Sequence, residues 1–288
     1  PDLNEELDDS QLTGTVKLAY HPNDNTLTYA SFATGYKAGG TNTDRILPSL
    51  SPLFDAEKSR SAEIGIKHDF EEYGVRVNAA AHYTQISDFQ ATTFTGTGFN
   101  LQNAGDIIVK GVELEATWLM TENIELHAVA SRTLANFDEF KRGTCWVAYT
   151  WHTGIDDPGR VEPNDPFCSR DGDRVGFEPQ NSLSLMLNHY FEVGNYPASA
   201  SIDYQYTGDV FLDDANDPYK YADDFSLFNV RVSFTIPQWD SEIIAWSRNV
   251  FDEEYVARSG FDVPVQTGKI MAYPGAPRSF GVTFRKSF

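Results

Sequence analysis

Phe228-Asn229-Val230-Arg231-Val232-Ser233-Phe234-Thr235-Ile236 puts an apolar side chain at every even position and a polar one at every odd position. Successive side chains of an extended strand leave on opposite faces, so this segment has one oily face and one wet face. Other stretches repeat the design. Leu183, Leu185 and Leu187 oppose Ser182, Ser184 and Asn188, and Ala198, Ala200, Ile202 and Tyr204 oppose Ser199, Ser201, Asp203 and Gln205. Val75, Val77, Ala79, Ala81 and Tyr83 oppose Arg76, Asn78, His82 and Thr84, while Val112, Leu114, Ala116 and Trp118 oppose Glu113, Glu115 and Thr117. No comparable helical period occurs. The fold class read from the residues is all-β.

The alternation predicts about eleven strands, over 13–22, 26–37, 57–70, 74–92, 106–118, 123–136, 179–191, 197–210, 224–236, 241–250 and 276–287, close to the roughly 10 residues of a membrane-crossing strand. Tight turns at 23–25, 71–74, 120–122, 193–195 and 237–240 alternate with long connections at 38–56, 93–105, 137–178, 211–223 and 251–275. In an up-and-down sheet every second connection lies on the same side. The tight turns therefore share one rim and the long loops the other, which is the asymmetry of an antiparallel up-and-down transmembrane β-barrel. A sandwich with Greek-key connections has no reason to sort its loops this way, and no propeller-like repeat is present.

Composition agrees. The formal charge of -20 excludes a nucleic-acid partner, because a phosphate backbone selects Lys and Arg. Twenty Phe, fourteen Tyr and five Trp are many for so hydrophilic a chain, and barrel girdles of interfacial aromatics produce that mixture. No apolar run is long enough for a membrane-spanning helix. The chain opens at Pro1 without a signal peptide and is read as a processed chain or a piece of a longer one. Cys145 and Cys168, in a polar stretch, are read as a disulfide closing the 137–178 loop, which implies an oxidising compartment. Their spacing matches no zinc motif, and no metal site is expected.

At the end of the chain Phe280, Val282, Phe284 and the terminal Phe288 share one face; Phe288 is read as the assembly signal of an outer-membrane strand, with Lys286 departing from its usual pattern. An odd strand count with a tight first turn means that residues 1–10 end a long loop and that something lies upstream. Eleven strands alone would leave two unpaired edges in lipid, so this chain is not expected to close a barrel by itself.

Five stretches resemble TonB-dependent receptors, specifically the C-terminal half of their 22-stranded barrel: residues 29–42 (YASFATGYKAGGTN), 57–67 (EKSRSAEIGIK), Asn103-Ala104-Gly105 with Lys110-Gly111-Val112-Glu113-Leu114-Glu115, Asn249-Val250-Phe251-Asp252-Glu253-Glu254-Tyr255, and Pro277-Arg278-Ser279-Phe280-Gly281. Each motif is weak alone; five in order over nearly the whole chain are specific. The resemblance makes residues 1–288 the C-terminal part of the barrel, with the plug domain and N-terminal strands absent. It implies an outer-membrane receptor that binds a scarce nutrient, by default a ferric siderophore, at its extracellular loops. Import would be driven by TonB through the missing plug region, with outer-membrane lipid as the surrounding partner.

Binding residues collect on long loops carried by a rigid scaffold. Trp146, Tyr149, Trp151 and His152, beside Cys145, could stack on a planar ligand; the plainer reading is that they pack the loop's own core. Asp213 and Asp214, with Asn216 and Asp217, form an acidic group of the kind that holds a structural calcium ion. Their spacing is not that of an EF-hand, so a solvated acidic tip is favoured, and no cofactor is otherwise expected. His82 and His127 are read as lumen-lining. An enzyme on the barrel rim would need Asp213, Asp214 and His152 forced into a catalytic role, and no G-x-S-x-G nucleophile motif is present; a passive porin is the closer rival. Val232→Arg is expected to be damaging and Ser233→Arg tolerated.

Overall fold

The structure is a computed structural model and describes residues 7–42, 51–94, 99–103, 105–146, 153–163, 165, 167–262 and 268–287. Eleven long strands pair in chain order into one antiparallel sheet. They are β1 (Gly14–Asn23), β2 (Thr26–Lys37), β3 (Glu57–Phe70), β4 (Val75–Ser87), β5 (Asp106–Thr121), β6 (Ile124–Glu139), β7 (Asn181–Val193), β8 (Tyr196–Thr207), β9 (Phe225–Ile236), β10 (Ser241–Arg248) and β11 (Ser279–Lys286). Among the described residues β1 pairs only with β2 and β11 only with β10, so the sheet is open at both ends. Phe288 lies outside the described residues.

The tight turns are built by local backbone chemistry. A single 3-10 turn at Glu71–Tyr73 closes on Gly74, whose positive φ of 61° suits glycine, and Gly194 at φ 66° does the same between β7 and β8. The expected 74–92 strand ends earlier, at Ser87. Asp88 turns the chain with φ 56°, and its amide donates to Asp106 Oδ1 at 3.3 Å. All five long connections contain a short two-stranded ribbon: Gly40–Thr41 with Leu53–Phe54, Gln90–Phe94 with Phe99–Asn103, Gly143–Thr144 with Phe167–Cys168, Val210–Phe211 with Tyr221–Ala222, and Val256–Asp262 with Ile270–Pro274. Segments this short carry too little alternation to be visible in sequence.

Register turns the alternation into two continuous faces. One row runs Leu18–Ala30–Ile64–Ala81–Val112 across β1 to β5, and another runs Leu126–Leu187–Ile202–Val230 across β6 to β9. Most of these side chains are exposed, Leu18 at 73%, Ile64 at 63% and Val112 at 55%, and Ala81, Leu126 and Leu187 are half-buried. A sheet-wide apolar face open to water is far beyond what a soluble surface carries, and hydrocarbon is the medium that would cover it. Aromatic bands border it. Tyr20, Phe70, Trp118, Tyr196 and Phe234 lie toward the turn rim, and Tyr36, Tyr83, Tyr204, Tyr206 and Phe228 toward the loop rim. The opposite face is polar. Ser31, Glu63 and His82 form one row there, and Asn78 donates to Glu115 at 2.9 Å. His127 bonds Thr117 and Glu125 on that same face, as its alternation implied.

The hydrophobic core is not between layers. It sits at the loop rim, where Ala91, Ile107, Phe137 and Phe140 pack with Ile86, Phe89, Val109 and Val175 beneath the long connections.

Candidate ligand-binding face

The long loops form one interlocked rim. Loop 38–56 lies against the 90–103 ribbon: Asn42 exchanges two hydrogen bonds with the Leu101 backbone, and Gln90 Nε2 donates to the carbonyls of Ala38 and Asp55. Gln102 Nε2 reaches the Arg142 carbonyl on the next loop at 2.9 Å.

Loops 140–178 and 209–223 lock together around Arg170, which is 1% exposed. Its guanidinium donates to Asp157 Oδ1 and to the Ala215 carbonyl, each at 2.5 Å, and meets Asp173 at 3.3 Å. Asp157 also accepts from the amides of Trp146 and Gly159. Arg174 pairs with Asp209 at 2.6 Å and exchanges backbone bonds with the Asn216 side chain. Cys145 and Cys168 are joined in a disulfide beside Asp157, closing a 23-residue separation. Burial pushes the Asp173 carboxyl up, with Arg170 opposing, and burial likewise raises Asp214. The hydrogen bond from Arg174 holds Asp209 below the ordinary carboxylate range.

This lattice places the residues singled out in sequence. The Trp146 indole N–H donates to the Ala215 carbonyl at 2.6 Å, so its polar edge holds the two loops together. Asp213 accepts from Lys220 Nζ at 2.8 Å, and Asp214 accepts from the Gly176 amide at 2.9 Å. Tyr149, Trp151 and His152 lie outside the described residues. Apolar and aromatic side chains that sequence reading passed over stand exposed on these loops, namely Phe177, Tyr219 and Tyr221. Nothing in their local pattern separates them from other loop aromatics. Arg170 was equally invisible, because burial of a charge is decided by partners far away in the chain.

The five motifs prove to be joints of the scaffold. A Cβ on Gly105, at φ 114°, would run into the Glu139 carbonyl, and Asn103 bonds Asp55 and Asp88. Gly65 leaves room for the ring of Tyr29, and the Glu57 carboxylate accepts from the Gln90 amide. Asn249, at φ 49°, donates to the carbonyls of Glu253 and Ala276, Asp252 accepts from the Arg278 amide, and Tyr255 stacks on Phe225 with ring centroids 4.3 Å apart.

Known proteins carry the same scaffold. The chain is 35% identical over 113 residues to the pesticin receptor of Yersinia enterocolitica, and the same holds for that of Yersinia pestis; the match covers 38% of this chain and 16% of each receptor. The structure is similar to the ferric yersiniabactin uptake receptor FyuA of Yersinia pestis, with a TM-score of 0.74 and 22% identity over 97% of this chain and 38% of that one. The siderophore receptor PiuA of Acinetobacter baumannii is similar at a TM-score of 0.66 and 17% identity, over 94% of this chain and 35% of its own. The chain thus spans well under half the length of these relatives. The family described as TonB dependent receptor-like, beta-barrel, matches residues 3–250. With the ordered eleven-stranded sheet, its sorted loops and its motif joints, this chain belongs to the TonB-dependent receptor β-barrel family.

Proposed function

We propose that the protein is an outer-membrane active-transport receptor that binds a scarce nutrient, a ferric siderophore first of all, at its extracellular loop face. The family is one of outer-membrane transport receptors rather than of enzymes. The observation that carries the reading is the family match over residues 3–250 on a sheet with one apolar face, one polar face and all its long loops on one rim. In this reading the plug and the remaining strands lie in the part of the receptor N-terminal to residue 1, and TonB acts through that plug.

The loop lattice supports a binding role. Disulfide, buried Arg170 and reciprocal backbone bonds hold the two loops in one geometry before any ligand arrives, which cuts the ordering cost of association. Phe177, Tyr219 and Tyr221, with the Trp146 ring between the loops, offer stacking surfaces to a planar chelate. Asp213 and Asp214 remain candidates for ligand or cation contact at the same place.

The test is made in the source cell. Chelator-imposed iron starvation should raise the abundance of the receptor, and deleting it should abolish accumulation of radioactive iron presented in the cell's own iron-starved spent medium. Unchanged abundance together with unchanged accumulation would overturn the reading.

A further inference from the structure

Among the described residues Lys37, Arg76, Lys141, Arg160, Arg170, Arg174, Lys220, Arg278 and Arg285 are in ion pairs. Of the cations outside these pairs, four stand together on the apolar face of the long strands near the loop rim. Lys58, Arg60, Lys110 and Arg132 are exposed and have no carboxylate within ion-pair distance among the described residues; Arg132 has one weak bond, to Asn181 at 3.5 Å. All four point to the apolar face. Arg60 has the parity of Ile64 on β3, Lys110 that of Val112 on β5, and Arg132 that of Ala130 on β6.

Register places three of them at one height. His68, Ala116 and Ala128 lie on one hydrogen-bonded row that begins at Thr26, beside a tight turn, and reaches Phe228, well up β9. The row therefore climbs toward the loop rim by about one residue per strand, as tilted barrel strands require. Arg60 stands eight residues above His68, Lys110 six above Ala116, and Arg132 four above Ala128. The falling offsets cancel the climb. The three cations share a level with Tyr36 and Tyr83, at the upper edge of the apolar band, and Lys58 sits one step higher. Strand spacing and rise put their Cα atoms roughly 12 Å and about 8 Å apart in sequence order, close enough for long side chains to converge.

Below them the apolar face is indented. A groove of about 650 Å³ is floored by Ala79, Ala81 and Ala130, walled by Ile64 and Leu114, and reaches Arg132. Cations directly over an apolar trough, at the border between hydrocarbon and water, are complementary to a lipid with an anionic head. In a chain of charge -20, cations gathered on the lipid side without a carboxylate partner among the described residues are placed to take an external anion. Guanidinium groups favour phosphate, which they can grip with two hydrogen bonds. We propose that Arg60, Lys110 and Arg132 bind the phosphates of a phosphorylated, multiply acylated lipid of the outer leaflet, with one acyl chain in the Ala79–Ala81–Ala130 groove. The proposal rests on the outer-membrane placement of the barrel and is independent of the cargo.

The experiment is native mass spectrometry of the full-length receptor in detergent, titrated separately with diphosphoryl lipid A, the same lipid stripped of phosphate, and inorganic phosphate. Diphosphoryl lipid A should bind the unaltered receptor at least ten-fold more tightly than either comparison ligand. The R60Q/K110Q/R132Q variant should lose that margin, while K67Q/R231Q, on the polar face, keeps it. Ala130→Phe, which fills the groove beneath intact cations, should weaken the lipid several-fold. Heat-modifiable migration verifies folding of each variant, and Arg132→Gln alone carries the test should the triple variant fail to fold. Equal binding of the stripped lipid, undiminished binding by the folded cation variants, or an equal loss in K67Q/R231Q would overturn the proposal.

Discussion

Val232 and Ser233 are adjacent, yet they live in different solvents. Val232 is 48% exposed on the apolar face, near mid-height of β9, and an arginine there should cost about 2–4 kcal/mol in a barrel unfolded from lipid or micelles. Ser233 does face the polar side, but it is only 5% exposed: its hydroxyl bonds Ser199 at 2.8 Å, and Ile244 is its partner on β10. Ser233→Arg should therefore be damaging, against the tolerance its alternation implies, because inward does not mean open. Thr235, opposite Glu242, is the better position for an inward arginine, and Thr235→Arg should unfold close to the unaltered protein in the same measurement. Equal damage from Val232→Arg and Thr235→Arg would defeat the assigned facing. Gly105 makes a second residue-scale case. Gly105→Ala combines a positive φ with a collision against backbone, and strained backbone of this kind costs about 1–3 kcal/mol. The loss should appear as earlier protease cleavage at the loop rim.

The locked loop pair is where stability and pH meet. Reducing the Cys145–Cys168 bridge should remove about 3 kcal/mol of loop-closure stabilisation, speeding proteolysis within 140–178 while the barrel keeps its heat-modifiable migration. Two carboxylates across the junction titrate in opposite senses. Asp209 has its pKa lowered by Arg174, so its contribution is present above the ordinary aspartate range and is lost as pH falls below about 4. Asp214 has its pKa raised by burial, so its charged form opposes folding at neutral pH and that penalty fades as pH falls toward the same range. At pH 7, Asp209→Asn should therefore raise hydrogen exchange in 209–223, and Asp214→Asn, which keeps an acceptor for the Gly176 amide, should leave it unchanged or lower it. Exchange moving the other way in both variants would refute the assignment of causes.

For the whole molecule, the open sheet is the governing fact. With bare backbone on β1 and β11, this chain produced by itself should aggregate and show no heat-modifiable monomer, whereas the full-length receptor should show one. The sequence by itself determined the eleven strands, their facing, the sorting of turns and loops and the family. Those are consequences of a two-residue period and of connection length, both of which act locally along the chain. Its boundaries lay within three residues of the observed ones except where the period stopped, at Ser87 and in the five loop ribbons. Tertiary structure alone decided the rest. Arg170 is buried because Asp157 and Ala215 arrive from 13 and 45 residues away, and the Trp146 edge is engaged because the Ala215 carbonyl meets it. Arg60, Lys110 and Arg132 share one level because the tilt of the strands offsets their positions along β3, β5 and β6. A side chain's alternation is written in its neighbours, but its partners are set by register between strands, and register is a property of the assembled sheet.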